Sequence, residues 1–333
     1  MTPSRLFRRP RALIVGYGDI GARCAPWLAR RYRCLALLRD PARRAAARAA
    51  GLVPLQGDLD QPASLKRLAA LAPALRVIVH LAPPPGDGLG DTRTAHLLAA
   101  LRRRRGAATP AARAAIVPER PRRLVYASTS GVYGDRAGAR IDETARVAPA
   151  NARAQRRVAA EGLLRRAGAR APQSDLRVSI LRVPGIYAAE RLPLARLEQR
   201  MPALREAEDV YTNHIHADDL AAIVLRTLCR GKAQRIVHAS DDSEMKMGDY
   251  FDRIAERYGR ARPPRVSREA AQAALSPMML SFMRESRRLD NTRLHRELGY
   301  RLRYPDVCAF LASEAACAVE SSADGVAAHG PRP

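Results

Sequence analysis

Three glycines near the start of the chain have the spacing of a phosphate-binding loop. They follow an apolar run from Ala12 to Val15 and precede a helix-like segment, 22–31. In such a loop the glycines permit a tight turn, close approach of a pyrophosphate, and packing of the helix on the strand, while the free N–H groups of the helix start attract anions. A glycine turn with only a packing role is the alternative. We predict that a dinucleotide binds at Gly16-Tyr17-Gly18-Asp19-Ile20-Gly21.

The end of the next apolar run bears on which dinucleotide is bound. Cys34 to Leu38 reads as the second strand and leads directly into Arg39. An acidic residue here binds the ribose 2′-hydroxyl of NAD, whereas arginine accommodates the 2′-phosphate of NADP. We therefore predict NADP as the cofactor, with NAD as the alternative. Asp40 and Pro41 also form a helix-start pattern, which is compatible with either cofactor.

Hydroxyl side chains cluster where another strand is predicted to end. The apolar run 123–127 is followed by Ser128, Thr129 and Ser130, with Tyr133 close behind. Ligands of open parallel sheets bind outside the carboxyl ends of the strands. These hydroxyl groups are therefore candidates to contact a substrate carbonyl or the nicotinamide.

The elements that position these residues alternate between strands and helices from residue 12 to about 240. This rhythm predicts an α/β fold, a doubly wound and mostly parallel sheet of the Rossmann type, with a smaller C-terminal substrate lobe. We expect the nucleotide-binding domain to span 10–185, with 212–240 returning to it. The lobe would comprise 186–211 and 241–315, and 316–333 would be a disordered tail. The stretch 106–121 reads as a surface insertion.

Composition weighs against several classes of function. The 58 Lys and Arg exceed the 33 Asp and Glu, but the excess is mostly arginine spread along the chain, and only 5% of the residues are aromatic. We therefore predict no nucleic-acid partner. No apolar run reaches the roughly 18 residues of a membrane span, and the five cysteines form no C-x-x-C pair. We expect a cytoplasmic protein, monomer or homodimer, without a metal site.

Several motifs occur in the order of a known family, so the chain resembles an extended short-chain dehydrogenase/reductase of the NAD(P)-dependent epimerase/dehydratase group. The resemblance covers roughly residues 10 to 310. Besides the glycine loop, it rests on Gly57-Asp58-Leu59, Ser128 to Gly134, Asp142-Glu143-Thr144, Leu181 to Tyr187, and Ile215 to Leu220.

This resemblance implies roles for individual residues. Asp58 and Leu59 would flank the adenine, although Asp58 or Asp60 could instead cap the following helix. Ala82 and Pro83 would line the route to the nicotinamide ribose. Thr129 would supply the catalytic hydroxyl group, and Pro184 and Tyr187 would border the nicotinamide and the substrate. Asp218 would cap the helix that follows it.

The chain departs from the family at its proton-transfer pair. Anchored on Glu161, the positions of the family's Tyr-x-x-x-Lys hold Arg153 and Arg157, and no such motif occurs between residues 140 and 170. A guanidinium keeps its proton and cannot replace the phenol as an acid or base. Because the two arginines share a helix face, they would clamp an anion if that face points into the cleft; a solvated face is the alternative. Tyr133 and Tyr187 are the candidate proton donors.

These features support two hypotheses about function. The first is an NAD(P)-dependent oxidoreductase or epimerase-like enzyme that acts on a small polar substrate, anionic or like a sugar nucleotide. The second is a non-catalytic NAD(P)-binding protein, regulatory or redox-sensing, that lost its proton donor.

Overall fold

The computed structural model describes residues 9–102, 121–169 and 176–313, except for the side chain of Met278. Within these ranges the strands, in chain order, are β1 (Arg11–Val15), β2 (Arg33–Leu38), β3 (Val53–Gln56), β4 (Leu75–His80), β5 (Arg122–Thr129), β6 (Arg140–Ile141), β7 (Leu176–Val183), β8 (Gly185–Tyr187), β9 (Ala203–Leu204), β10 (Tyr211–Thr212), β11 (His214–His216), β12 (Arg235–His238), β13 (Met245–Lys246), β14 (Arg265–Val266) and β15 (Arg288–Leu289).

The largest sheet in the described ranges has seven strands in the order β12-β7-β5-β4-β1-β2-β3. All of its neighbouring pairs run parallel. The strand order reverses between β1 and β4, and in open parallel sheets such a reversal opens a ligand-binding crevice at the carboxyl ends. The glycine loop follows β1 and therefore lies at this crevice.

Alternation along the strands places apolar side chains on both faces of the sheet. In β1, Ala12 and Ile14 belong to one buried cluster, and Leu13 and Val15 belong to another. Helices cover both clusters, as a parallel sheet requires. The predicted doubly wound α/β fold is confirmed.

The α-helices of the described residues alternate with the strands of the large sheet in its first part and continue through the C-terminal elements. They are Asp19–Ala29, Arg44–Ala49, Lys66–Leu71, Thr92–Leu101, Ala152–Ala169, Leu194–Glu198, Ala217–Arg230, Met247–Arg257, Arg268–Ala274, Pro277–Phe282, Thr292–Arg296 and Val307–Leu311.

Two predicted helix starts have different outcomes. The Asp40 carboxylate accepts a hydrogen bond from the Ala42 amide at 2.9 Å, ahead of Pro41, as predicted. The cap predicted at Asp218 is wrong, because His216 occupies the N-cap and its Nδ1 accepts from the Asp218 amide. The Asp218 carboxylate instead pairs with Arg23 at 2.5 Å.

A further buried cluster lies among the C-terminal elements. Tyr187, Phe251 and Phe310 are three of its larger members. The division into a nucleotide-binding domain and a substrate lobe, at the boundaries given above, stays a prediction. The tail 316–333 lies outside the described residues, as does the 106–121 insertion apart from Pro121. In the part of the chain that the structure describes, no helix is both long and apolar enough to cross a bilayer.

Candidate functional site

The glycine loop lies against the segment that follows β4. Gly16 has a φ of +87°, and a Cβ atom placed on it would be 2.4 Å from the Ala82 amide nitrogen. The Ala82 amide donates to the Val15 carbonyl at 3.1 Å, which fixes this approach. Two of the predicted cofactor residues, Gly16 and Ala82, are thus in direct contact, and only glycine fits at position 16.

The start of helix Asp19–Ala29 is open to a ligand. A Cβ atom on Gly18 would have no atom within 4 Å, and no side chain caps the helix at this residue. By contrast, a Cβ atom on Gly21 would lie 3.0 Å from the Gly16 carbonyl oxygen. The three glycines therefore have the turn, approach and packing geometry of a pyrophosphate cradle.

Asp19 lies at the first turn of the same helix and is held by two arginines. Its carboxylate accepts from Arg23 Nε at 2.7 Å and from Arg191 Nη1 at 3.1 Å. These pairs neutralise an acidic side chain that would otherwise face the anion site at the helix start.

Arginines dominate the carboxyl end of β2. Arg39 is exposed, and its carbonyl oxygen accepts from Gln56 Nε2 at 2.8 Å. Arg43 lies 5.7 Å from the ring centre of Tyr17. Asp40, which is next to Arg39 in the chain, accepts a hydrogen bond from the Ala42 amide.

The predicted adenine residues lie after β3. Asp58 is half-buried, and its Oδ1 accepts from the Asp60 amide at 2.9 Å. Neither aspartate caps the next turn, where Gln61 is the N-cap and makes no side-chain hydrogen bond. Leu59 is buried, and its carbonyl oxygen lies 2.7 Å from His96 Nδ1.

The remaining predicted cofactor residues differ in exposure. Ile20 is half-buried and packs against one cluster of the core. Pro83 is exposed, and its carbonyl oxygen accepts from Arg93 Nη1 at 3.2 Å.

A cavity of about 480 Å³ opens at the carboxyl ends of β5 and β7. It brings together four residues that the sequence analysis singled out. Their positions are separated by up to 55 residues along the chain, and the fold brings them to the same cavity: Thr129, Arg153, Arg157 and Pro184.

Thr129 is the last residue of β5 and caps the short helix Ser130–Tyr133. Its Oγ1 accepts from the Gly131 amide at 3.3 Å. A hydroxyl group that accepts in this way keeps its own proton for an acceptor in the cavity.

Arg157 is anchored to the strand below the cavity. Its Nη1 donates to the Ala127 carbonyl at 2.6 Å and to the Tyr126 hydroxyl at 3.0 Å. Arg153, one turn earlier, lies 5.2 Å from the ring centre of Phe282. Both side chains line the cavity; Arg157 is half-buried there, whereas Arg153 is also exposed to solvent.

Neither predicted proton donor reaches this cavity. Tyr133 is fully buried, with its hydroxyl 2.5 Å from His238 Nε2, and burial raises its pKa to about 12. Tyr187 is also buried, in the C-terminal cluster beside Phe310, and burial raises its pKa. The proton-donor and substrate-binding roles of the two tyrosines are therefore not supported by their positions, because packing directs both rings into the core.

Sequence reasoning missed much of the cavity. Tyr211 is the one tyrosine among the described lining residues, and Arg287 and Glu285 form an ion pair of 2.8 Å on the wall. No motif or spacing marks these positions. The other lining residues that were not predicted include Asn151, Arg196, Asn213, Met247, Phe251, Met279, Phe282 and Met283.

A buried ion pair supports the wall from behind. Arg182 Nη2 lies 2.7 Å from Glu161 Oε2, and Ser128 Oγ donates to Glu161 Oε1 at 2.6 Å. Both charged side chains are almost fully buried. This network ties β5 and β7 to helix Ala152–Ala169, which carries the two cavity arginines.

Solved structures with the same fold are numerous. A conserved protein of unknown function from Silicibacter pomeroyi is 28% identical, with a TM-score of 0.72 over 93% of this chain and 99% of that chain. MoeE5, solved with UDP-glucose and NAD, is 19% identical, with a TM-score of 0.65 over 94% of this chain and 99% of its own.

Human epimerase family protein SDR39U1, solved with NADPH, is 18% identical, with a TM-score of 0.65 over 92% of this chain and 99% of its own. The comparison with curated proteins gives no significant match. Residues 12–239, more than half of the chain, match the model of the NAD dependent epimerase/dehydratase family, to which this chain therefore belongs.

Proposed function

We propose that the protein is an NADP-dependent oxidoreductase that acts on a small substrate with a carbonyl or hydroxyl group near an anionic group. The observation that carries the proposal is the cavity at the carboxyl edge of the sheet, which places Thr129 and Arg157 on one wall. The glycine loop follows β1 at this same edge.

The residues of the loop fit a dinucleotide. Gly18 leaves open space at an uncapped helix start, and a diphosphate would accept from the free amides there. At the end of β2, Arg39 and Arg43 would hold a 2′-phosphate, and this favours NADP over NAD. MoeE5 and SDR39U1 were solved with NAD and NADPH respectively, so relatives of this fold use both coenzymes.

When bound, the coenzyme would supply or accept hydride at its nicotinamide. Thr129 would donate a hydrogen bond to the reacting oxygen of the substrate and stabilise charge that develops there. Arg157 would bind the anionic group, since its charge is permanent and its position is fixed by Ala127 and Tyr126. Tyr211 would be the phenol available to exchange a proton with that oxygen.

The alternative is a protein that binds the coenzyme without turnover. It is favoured by the two arginines that occupy the positions of the family's Tyr-x-x-x-Lys, because neither can donate a proton. The cytoplasmic location and the monomer or homodimer state stay predictions under both alternatives.

One experiment separates the two functions. Calorimetric titration of NADPH and NADH comes first, followed by NADPH oxidation with a panel of oxo acids, ketones and sugar nucleotides. We expect NADPH to bind more tightly, and Thr129→Val to lower turnover at least about tenfold without changing coenzyme affinity, while Thr129→Ser retains activity. Coenzyme binding without turnover of any substrate would support the alternative, and no binding of either coenzyme would refute both.

A further inference from the structure

The cavity has two walls of different chemical character. Strand β5 and helix Ala152–Ala169 contribute Thr129, Arg153 and Arg157. The facing wall comes from the C-terminal elements. It carries polar side chains (Arg196, Ser281, Glu285 and Arg287) and a set of thioether and phenyl groups, namely Met247, Phe251, Met279, Phe282 and Met283. These five side chains lack hydrogen-bonding groups apart from weakly accepting sulfur atoms.

The apolar wall is held in place by the core of the C-terminal part. Phe251 belongs to the cluster around Tyr187, and Met283 is buried in a separate cluster with Leu204. Because its members are anchored in packed clusters, the wall presents a fixed surface to the cavity.

Phe282 is an exception to this burial. Its side chain is 47% exposed, although it lines the cavity. The Arg153 guanidinium lies 5.2 Å from its ring centre and connects the two walls at this point. Aromatic side chains commonly line ligand pockets, and this exposed ring is accessible to a ligand in the cavity.

The four arginines that line the cavity differ in their partners. Arg287 is paired with Glu285, and Arg196 donates to the Pro202 carbonyl while it lies over the Phe251 ring. Among the described lining residues, Arg153, Arg157 and Arg196 therefore carry charge without a carboxylate partner, and of these Arg153 and Arg157 lie on the same helix as each other, next to Thr129.

We infer that the substrate is an amphiphilic oxo or hydroxy acid. Its anionic group would contact Arg153 and Arg157, its reacting oxygen would contact Thr129, and an aryl or branched acyl body would lie against Phe282 and the methionines. A sugar in that position would place several hydroxyl groups against these phenyl and thioether groups, at a cost in desolvation. This inference rests on the proposed function, whose cavity it fills.

The inference is tested by calorimetric titration of four acids and ketones into the protein, with and without NADP⁺. Phenylpyruvate carries the oxo, carboxylate and aryl groups; pyruvate lacks the aryl group, phenylacetone lacks the carboxylate, and glucuronate replaces the aryl group by hydroxyls. We expect phenylpyruvate to bind at least about tenfold more tightly than each of the other three.

Two variants locate the contacts. Phe282→Ala should weaken phenylpyruvate about tenfold and leave pyruvate unchanged, whereas Phe282→Leu should retain most of the affinity. Phe282 is exposed, so its replacement does not endanger folding. Leu89→Ala, at an exposed position outside the lining residues, is the matched control and should change nothing.

The inference is overturned if glucuronate binds as tightly as phenylpyruvate, if Phe282→Ala weakens both oxo acids equally, or if none of the acids binds. Its failure is distinct from that of the proposed function. If the ligands follow the expected order but neither coenzyme binds, the proposed function fails and the cavity remains an amphiphilic acid site. If NADPH binds and glucuronate is preferred, only this inference fails.

Discussion

Arg157 Nη1 donates a hydrogen bond of 2.6 Å to the carbonyl oxygen of Ala127, two residues before Thr129. The guanidinium is thereby fixed relative to the end of β5, and its charge reaches the cavity in a defined orientation. Under the proposed function, this contact would allow the helix Ala152–Ala169 to position a ligand.

We therefore predict that Arg157→Lys weakens phenylpyruvate binding about tenfold, although the charge is kept. Lysine has a single ammonium group and cannot reproduce the planar set of donors that contacts Ala127 and a ligand together. Calorimetry measures the effect. Arg165→Lys, on an exposed position of the same helix, should bind like the wild-type protein, and wild-type affinity in Arg157→Lys would remove this residue from the ligand site.

The coenzyme preference gives a second prediction. Arg39→Asp should reverse the order of affinities, so that NADH binds more tightly than NADPH. Aspartate would repel the 2′-phosphate and accept from the 2′-hydroxyl. Calorimetric titration of both coenzymes measures the order, with Arg48→Asp as an exposed control of equal charge change that should keep the preference for NADPH. An unchanged order in Arg39→Asp would mean that this residue does not contact the ribose.

The sequence predicts the large parallel sheet well, for a physical reason. Each strand of a buried parallel sheet is a continuous apolar run, and the predicted second strand, Cys34 to Leu38, matches β2 except for its first residue, Arg33. Asp40 at a helix start has a local hydrogen bond to make, so its cap follows from sequence alone. The cap at Asp218 could not be excluded in this way. The Asp218 carboxylate pairs with the distant Arg23, and His216 caps the helix instead.

The far wall of the cavity could not be predicted in the same way. Met279 and Met283 stand four residues apart, a spacing that fits a core-facing helix stripe as well as a ligand surface. Whether Tyr211 or Tyr187 faces the cavity depends on how the C-terminal elements pack. Residues whose function is set by such long-range contacts leave no local pattern.

The buried pair behind the site predicts a large effect on stability. Glu161→Gln should lower the free energy of unfolding by about 3–5 kcal/mol, because the Arg182 charge would stay buried without its partner. Urea unfolding measures the change. Glu198→Gln, which breaks the exposed contact with Arg260, should cost less than about 1 kcal/mol. Similar values for the two variants would show that the buried pair does not hold the β5–β7 wall.

The buried histidine His214 predicts a pH dependence of stability. It stacks on Tyr250 with ring centres 4.0 Å apart, and burial lowers its pKa to about 3 from an ordinary value near 6.5. Between these values the unfolded chain binds a proton that the folded chain does not, so the stability contributed by the neutral ring is lost as the pH falls. His214→Phe keeps a stacked ring and removes this loss. Its free energy of unfolding, relative to wild type, should therefore rise by about 1.4 kcal/mol for each pH unit as the pH falls below 6.5.

Urea unfolding of both proteins at several pH values between neutral and mildly acid measures this difference in the free energy of unfolding. Titratable groups that both proteins share contribute equally to the two values and cancel. Tyr250→Phe is the matched control, because it keeps the stacked ring and does not titrate in this range. Its stability should remain parallel to that of the wild-type protein. If the stability of His214→Phe also stays parallel to that of the wild-type protein across the pH range, then His214 binds its proton in the folded protein. In that case the close stacking on Tyr250 does not exclude water from the imidazole.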